Sequence, residues 1–252
     1  MPETRTCGAR FMKHTRYVYS QASDQQKAIP QPPLQKTYDS GAQRISLPSP
    51  DTLELQTADL RALVEQRKSV RSYSSTPITL QELSFLLWAT QGVKQVYQNR
   101  ATMRTVPSAG ARHAFETYLC INNVQSLPQG LYRYLALEHE LLVVSQDDTV
   151  TDRVFGGCWE QAMVHGCAAV FIWTAVPYRM GWRYGERGYR YLHLDAGHVC
   201  QNLYLASEAI GCGVCAIAAY VDEIMNDVLG IDGKEEFTIY IATAGKKQSK
   251  NK

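Results

Sequence analysis

Nine consecutive residues, Ala168 to Val176, carry no charge and include Phe171, Ile172 and Trp173. A run this short and this apolar is the mark of a strand covered on both faces. The chain must therefore supply layers above and below it. Leu194 to Ile210 has the helical period, with Val199, Leu203, Ala206 and Ile210 on one stripe and Gly211 at its stop. Thr79-Leu80-Gln81-Glu82 is a capping box, and it opens a helix whose Leu83, Leu86 and Leu87 share one face before Gly92. A shorter helix, N-capped by Thr57, carries Leu60, Leu63 and Val64; 151–166 and 222–229 also read as helical. Residues 115–121 and 237–244 read as strands, and 131–144 as a hairpin turning near Glu138 and His139. Helices and strands interleave without an internal repeat, so the class is α/β or α+β.

Composition sets the outer limits. At 252 residues, 45% hydrophobic and 20% charged, one domain with a sizeable core is expected. A net charge of +2 argues against nucleic acid as a partner. No apolar run has the length of a membrane span, and the N-terminus lacks the apolar core of a signal peptide, so a cytoplasmic protein is expected. Seven cysteines, an odd count, fit reduced thiols better than a disulfide framework. The first stretch is rich in Gln, Ser and Thr and is broken by Pro30, Pro32, Pro33, Pro48 and Pro50. Residues 1–55 therefore read as a flexible arm, and 56–252 as the domain.

Two segments carry chemistry. Arg67-Lys68-Ser69-Val70-Arg71 packs three cations and a hydroxyl into five residues at the end of an apolar helical run. Guanidinium groups meet phosphate oxygens in charge-assisted, often bidentate hydrogen bonds, so this is one way to hold a phosphorylated molecule. Taken alone, the cluster reads equally well as a solvated helix end. Pro107-Ser108-Ala109-Gly110-Ala111-Arg112-His113 is a small-residue loop whose glycine lets main chain lie close to a flat ligand.

Other motifs are weaker. Gly211-Cys212-Gly213-Val214-Cys215-Ala216 fits a dinucleotide fingerprint in spacing only, because a helix precedes it where the fingerprint needs a strand. Cys212 and Cys215 have no second pair at zinc spacing and read as inert thiols. His193 and His198 stand about 140° apart on a helix and, with Asp195, make a poor metal set. Hydrolase chemistry finds no Gly-x-Ser-x-Gly elbow.

The basic cluster, the Pro107–His113 loop, Tyr184-Gly185-Glu186-Arg187, Leu194-Asp195-Ala196-Gly197-His198 and the glycines of 211–215 follow one another in an order that resembles the nitroreductase superfamily of FMN enzymes. More narrowly they resemble its SagB/ThcOx-type dehydrogenase branch, over residues 60 to 246. The resemblance implies an α+β fold with a mixed central sheet flanked by helices, in an intertwined homodimer with FMN at the interface. It implies hydride transfer between a small-molecule or peptide substrate and NAD(P)H or oxygen. By the same resemblance, Arg67, Lys68 and Arg71 hold the phosphate end, and Ser69 donates to the ribityl chain. Pro107, Ser108, Ala109 and Gly110 line the isoalloxazine ring from the partner subunit. Main-chain N–H groups of Ala218 and Ala219, after a Gly-rich turn, reach flavin N5 and O4, and Lys246 or Lys247 closes on the phosphate. Arg183 and Tyr184 match the family's catalytic pair. Azoline-oxidising relatives carry Lys-Tyr there; arginine keeps its proton, which favours a reductase or a different dehydrogenase. Wall residues of the flavin pocket are the other reading of this pair. A flavin-binding partner subunit of a peptide-modifying complex, without turnover, is the other reading of the whole chain.

Overall fold

The computed structural model describes residues 6–55, 59–98 and 100–248. Its centre is a seven-stranded sheet of order β1-β6-β5-β4-β7-β9-β8, formed by β1 (Arg44–Ser46), β4 (Phe115–Ile121), β5 (Gly130–Leu135), β6 (Glu140–Ser145), β7 (Ala169–Ala175), β8 (Cys212–Ile217) and β9 (Phe237–Lys246). β2 (Val93–Tyr97) and β3 (Ala101–Arg104) form a separate hairpin. Neighbouring strands of the large sheet all pair antiparallel, so it is not the mixed sheet expected; parallel pairing is confined to isolated bridges, Ser69 with Val214 at the β8 edge and Ile78 with Val124.

β7 is the apolar run that constrains the fold, and it is buried from end to end. Successive side chains of a strand point to opposite faces. Phe171 and Trp173 join one core with α3 (Leu80–Gln91) and α7 (Gly188–Ala209). Val170 and Ile172 join a second core with α4 (Val150–Gly157) and α8 (Asp222–Leu229). The architecture is thus helices on both faces of an antiparallel sheet. α1 (Cys7–His14), α2 (Leu60–Gln66), α5 (Met163–Gly166) and α6 (Pro177–Tyr184) complete the helices of the described residues. None of the described helices is long and apolar enough to cross a membrane.

Several local expectations meet their physical cause. Thr79 Oγ1 accepts from Glu82 N at 3.1 Å while Glu82 Oε2 accepts from Thr79 N at 2.8 Å, completing the capping box of α3. At Gly92 a Cβ would fall 2.6 Å from the Trp88 carbonyl, so only glycine fits there. Thr57 lies outside the described residues; the side chain of Asp59 caps α2 by accepting from Arg61 N at 2.9 Å.

Other expectations are corrected. The helix expected over 151–166 breaks into α4 and α5 because Trp159 and Glu160 take left-handed φ of 55° and 52°. α7 starts at Gly188, ahead of its apolar stripe, where a glycine Cβ would sit 3.1 Å from Met180 Cγ of the abutting helix α6. The Gly-rich turn reduces to Gly211, with φ of 70°, which ends α7. Gly213 is instead inside β8, where a Cβ would lie 2.6 Å from Val70 Cγ2. Its missing side chain lets the 67–71 segment run alongside β8, with Val70 N donating to Val214 O at 2.8 Å.

The segment expected as a flexible arm is packed against the domain and contributes to its sheet. Gln25 N donates to Trp182 O at 2.9 Å, and Trp182 Nε1 donates to Ile29 O at 2.8 Å. Arg190 Nε donates to Thr15 Oγ1 at 2.6 Å, and the Arg187 guanidinium lies 4.0 Å from the Tyr17 ring centroid. Farther on, β1 pairs with β6. Prolines remove regular period from this stretch, but donors from α6 and α7 satisfy its carbonyls instead.

Candidate functional site

The basic cluster leaves α2 at Arg67, whose extended backbone starts the run beside β8. Arg67 stacks its guanidinium 5.2 Å from the centre of the Tyr204 ring on α7. Ser69 Oγ lies 3.2 Å from the Tyr204 hydroxyl, which itself accepts from Ala216 N at 2.9 Å. Either hydroxyl can donate across that contact; where Tyr204 donates, the Ser69 proton is left for another acceptor. Lys68, Ser69 and Arg71 are exposed and Arg67 is half-buried. Among the described residues none of the three cations has a carboxylate within ion-pair distance. Like charges without counter-charge repel one another, and an anion placed among them relieves that repulsion. Cys215 stands beside this cluster; burial raises its thiol pKa against the opposing pull of Arg71 and Ser69. Burial also pushes Cys212 up to about 12, so both thiols stay protonated at neutral pH.

A second cluster is built on the 107–113 loop. Asp195, 4% exposed on α7, accepts from Ser108 Oγ at 2.6 Å and from Ala109 N at 3.2 Å. Burial raises the Asp195 carboxyl pKa, and these two hydrogen bonds oppose the shift. Ser108 Oγ in turn accepts from His113 N at 2.9 Å. Gly110, Ala111 and His113 all take left-handed φ, of 58°, 53° and 42°, so the loop is a strained turn pinned by one carboxylate. A Cβ on Gly110 would lie 2.4 Å from the Tyr184 hydroxyl and 3.1 Å from Arg183 Cδ. The loop and the Arg183–Tyr184 pair therefore meet within one chain. Tyr184 presents its ring edge-on to Tyr191, with centroids 4.9 Å apart, and the Arg183 guanidinium stands 5.6 Å from the Tyr184 ring centre.

Beneath the loop His113 is 5% exposed, and burial next to Arg104 and Arg112 pulls its imidazole down to about 3. An unfolded histidine titrates near 6.5, so stability is full above that pH and is lost as pH falls toward the folded value. At pH 5 the gap is worth about 2 kcal/mol. The thermal midpoint is expected to drop between pH 7 and pH 5, and His113→Gln is expected to flatten that slope. An unchanged slope in the variant would place the acid sensitivity elsewhere.

The remaining expected residues are more scattered. Ala218 and Ala219 follow β8 in exposed chain, and neither main-chain N–H has a partner among the described residues. Lys246 does not stand free for a phosphate: it ends β9 in an ion pair with Glu82 of the α3 capping box. Lys247 is paired with Glu208 of α7. Both acids lie on helices against which the end of β9 packs, a proximity no local pattern reveals.

Residues 64–246 match the sequence pattern of the Nitroreductase family. The chain belongs to the nitroreductase family. It is 32% identical over 202 residues to a Methanocaldococcus jannaschii protein named as a nitroreductase, covering 78% of this chain and 98% of the relative. A solved nitroreductase-family structure from Anabaena variabilis superposes with a TM-score of 0.68 at 30% identity. That match covers 83% of this chain but 42% of the other, so the chain spans less than half of that protein's length. At 17% identity, and therefore as a likeness of fold, a chain of the Escherichia coli microcin synthetase McbBCD complex superposes with a TM-score of 0.62, covering 99% of this chain and 95% of that one.

As a nitroreductase-family oxidoreductase, the chain has site features that sequence reasoning missed. Tyr204 links the basic cluster to β8, Asp195 fixes the loop, and Arg112 stacks 5.2 Å from the Trp182 ring centre. Asp195 left a signal, an acid on the buried stripe of a helix, and Arg112 stood within the loop already singled out; Tyr204 left none.

Proposed function

We propose that this chain is an FMN-dependent oxidoreductase moving hydride between a small organic substrate and NAD(P)H or oxygen, in the cytoplasm. The observation that carries the reading is the run of three cations flanking Ser69, namely Arg67, Lys68 and Arg71, none of them ion-paired among the described residues. When bound, FMN supplies a hydride acceptor and donor at its ring. The chain's part is binding and proton management. Arg67, Lys68 and Arg71 hold the phosphate, and Ser69 gives its proton to the ribityl chain. Ala218 and Ala219 N–H groups serve the ring edge where charge develops. Pro107, Ser108, Ala109 and Gly110 lie against the ring face, held in shape by Asp195. Tyr184 carries the proton that accompanies hydride, and Arg183 positions its ring. Lys246 remains with Glu82 and supports the phosphate end from behind.

The reading includes a homodimer. Leu60 and Val64 on α2 and Leu194 on α7 are 65%, 54% and 61% exposed, apolar surface that a second copy could cover. A second copy covering them would bring its 107–110 loop to the flavin. Light scattering is expected to give a dimer mass, and a flavin-loaded monomer would remove the loop as a contact from the partner.

A second reading is favoured by the near full-length likeness to a chain of the microcin synthetase complex, which includes the N-terminal segment. In it the chain is a flavin-binding partner without turnover in a peptide-modifying assembly. Anaerobic addition of NADH or NADPH separates the two: a catalyst bleaches its yellow flavin, whereas a binder does not.

A further inference from the structure

An open cavity of about 800 Å³ lies beside Gly110. Ile29, Pro30 and Trp182 give it apolar surface, and Gln25, Gln31 and Gln98 add amides. Arg100, Arg112 and Arg183 also line it, and among the described residues no Asp or Glu does. Nor does any of these arginines form an ion pair among the described residues. Arg112 is 8% exposed and fixed in place: Nη2 donates to Arg100 O at 3.1 Å, Nε leans on Gly110 O at 3.4 Å, and its plane lies over Trp182. Its Nη1 has no partner among the described residues. Burial and the neighbouring charge of Arg183 both hold the Arg112 pKa below its ordinary value, the sign of cations facing each other without an anion.

This cluster includes none of Arg67–Arg71; Gly110 and Arg183 line the cavity, and Tyr184, which adjoins both, lies outside its lining. The volume suits a small molecule, and the lining combines apolar surface with unpaired cations. We infer that this cavity selects a substrate with an apolar body and a carboxylate, which Arg100, Arg112 and Arg183 would hold beside Gly110. The inference rests on the oxidoreductase reading for what happens to that substrate, but not for its binding.

Calorimetry on the purified protein with 4-nitrobenzoate and methyl 4-nitrobenzoate tests it, since the two probes differ chiefly in the negative charge. The acid is expected to bind at least about tenfold more tightly, the yield of one charge-assisted contact. Arg100→Gln is expected to shrink that preference several-fold while the flavin content stays at the wild-type level. Equal affinity for acid and ester would overturn the inference. So would Arg100→Gln protein that purifies without flavin, because the arginines would then be holding the cofactor. A colourless wild-type protein that still prefers the acid would support the cavity assignment and overturn the oxidoreductase reading.

Discussion

The double variant Arg67→Ala/Arg71→Ala is expected to purify folded and colourless. In the proposed site each guanidinium would contribute a charge-assisted contact worth about 1.5–3 kcal/mol to the cofactor's phosphate. Losing both weakens binding by about two to four orders of magnitude, enough to strip the flavin during purification. The fold should survive, because neither side chain belongs to the buried cores and the 67–71 segment is tied to β8 through Val70 main chain. Circular dichroism checks the fold and the visible spectrum checks the flavin. Full flavin retention would put the phosphate elsewhere.

Tyr184→Phe is expected to keep the flavin and slow substrate turnover at least about tenfold. The variant preserves the ring that meets Tyr191 edge-on and deletes only the hydroxyl over Gly110. A positioned acid or base contributes about 10²–10⁴-fold, and the tenfold floor allows water to replace part of that. Flavin reduction by NAD(P)H needs no proton from this hydroxyl and should change little. Wild-type substrate turnover in the variant would make Tyr184 a wall residue.

What the sequence revealed follows from what is local. β7 was readable because nine uncharged residues in a row, all but Thr174 apolar, leave no solvent face, and the capping box of α3 because its residues stand three apart. The 67–71 cluster was visible as a run of cations, and the 107–113 loop as a run of small residues. Contacts between distant segments were not. Nothing near Lys246 announces Glu82, and nothing near Ser69 announces Tyr204. Gly213 looked like part of a turn because a strand glycine and a turn glycine are the same letter; only Val70 packed against it decides between them. The N-terminal segment read as an arm because its order comes from Trp182, Arg187 and Arg190, far along the chain, rather than from its own periodicity.

The central claim is that this chain binds FMN and uses it. Anaerobic titration of the purified protein with NADPH or NADH, followed by its visible absorbance, tests that most directly. The account predicts a yellow protein whose flavin, identified as FMN on release, bleaches with one of the two donors and recovers its colour when substrate or oxygen is admitted. A protein that purifies colourless and takes up no added FMN would contradict it.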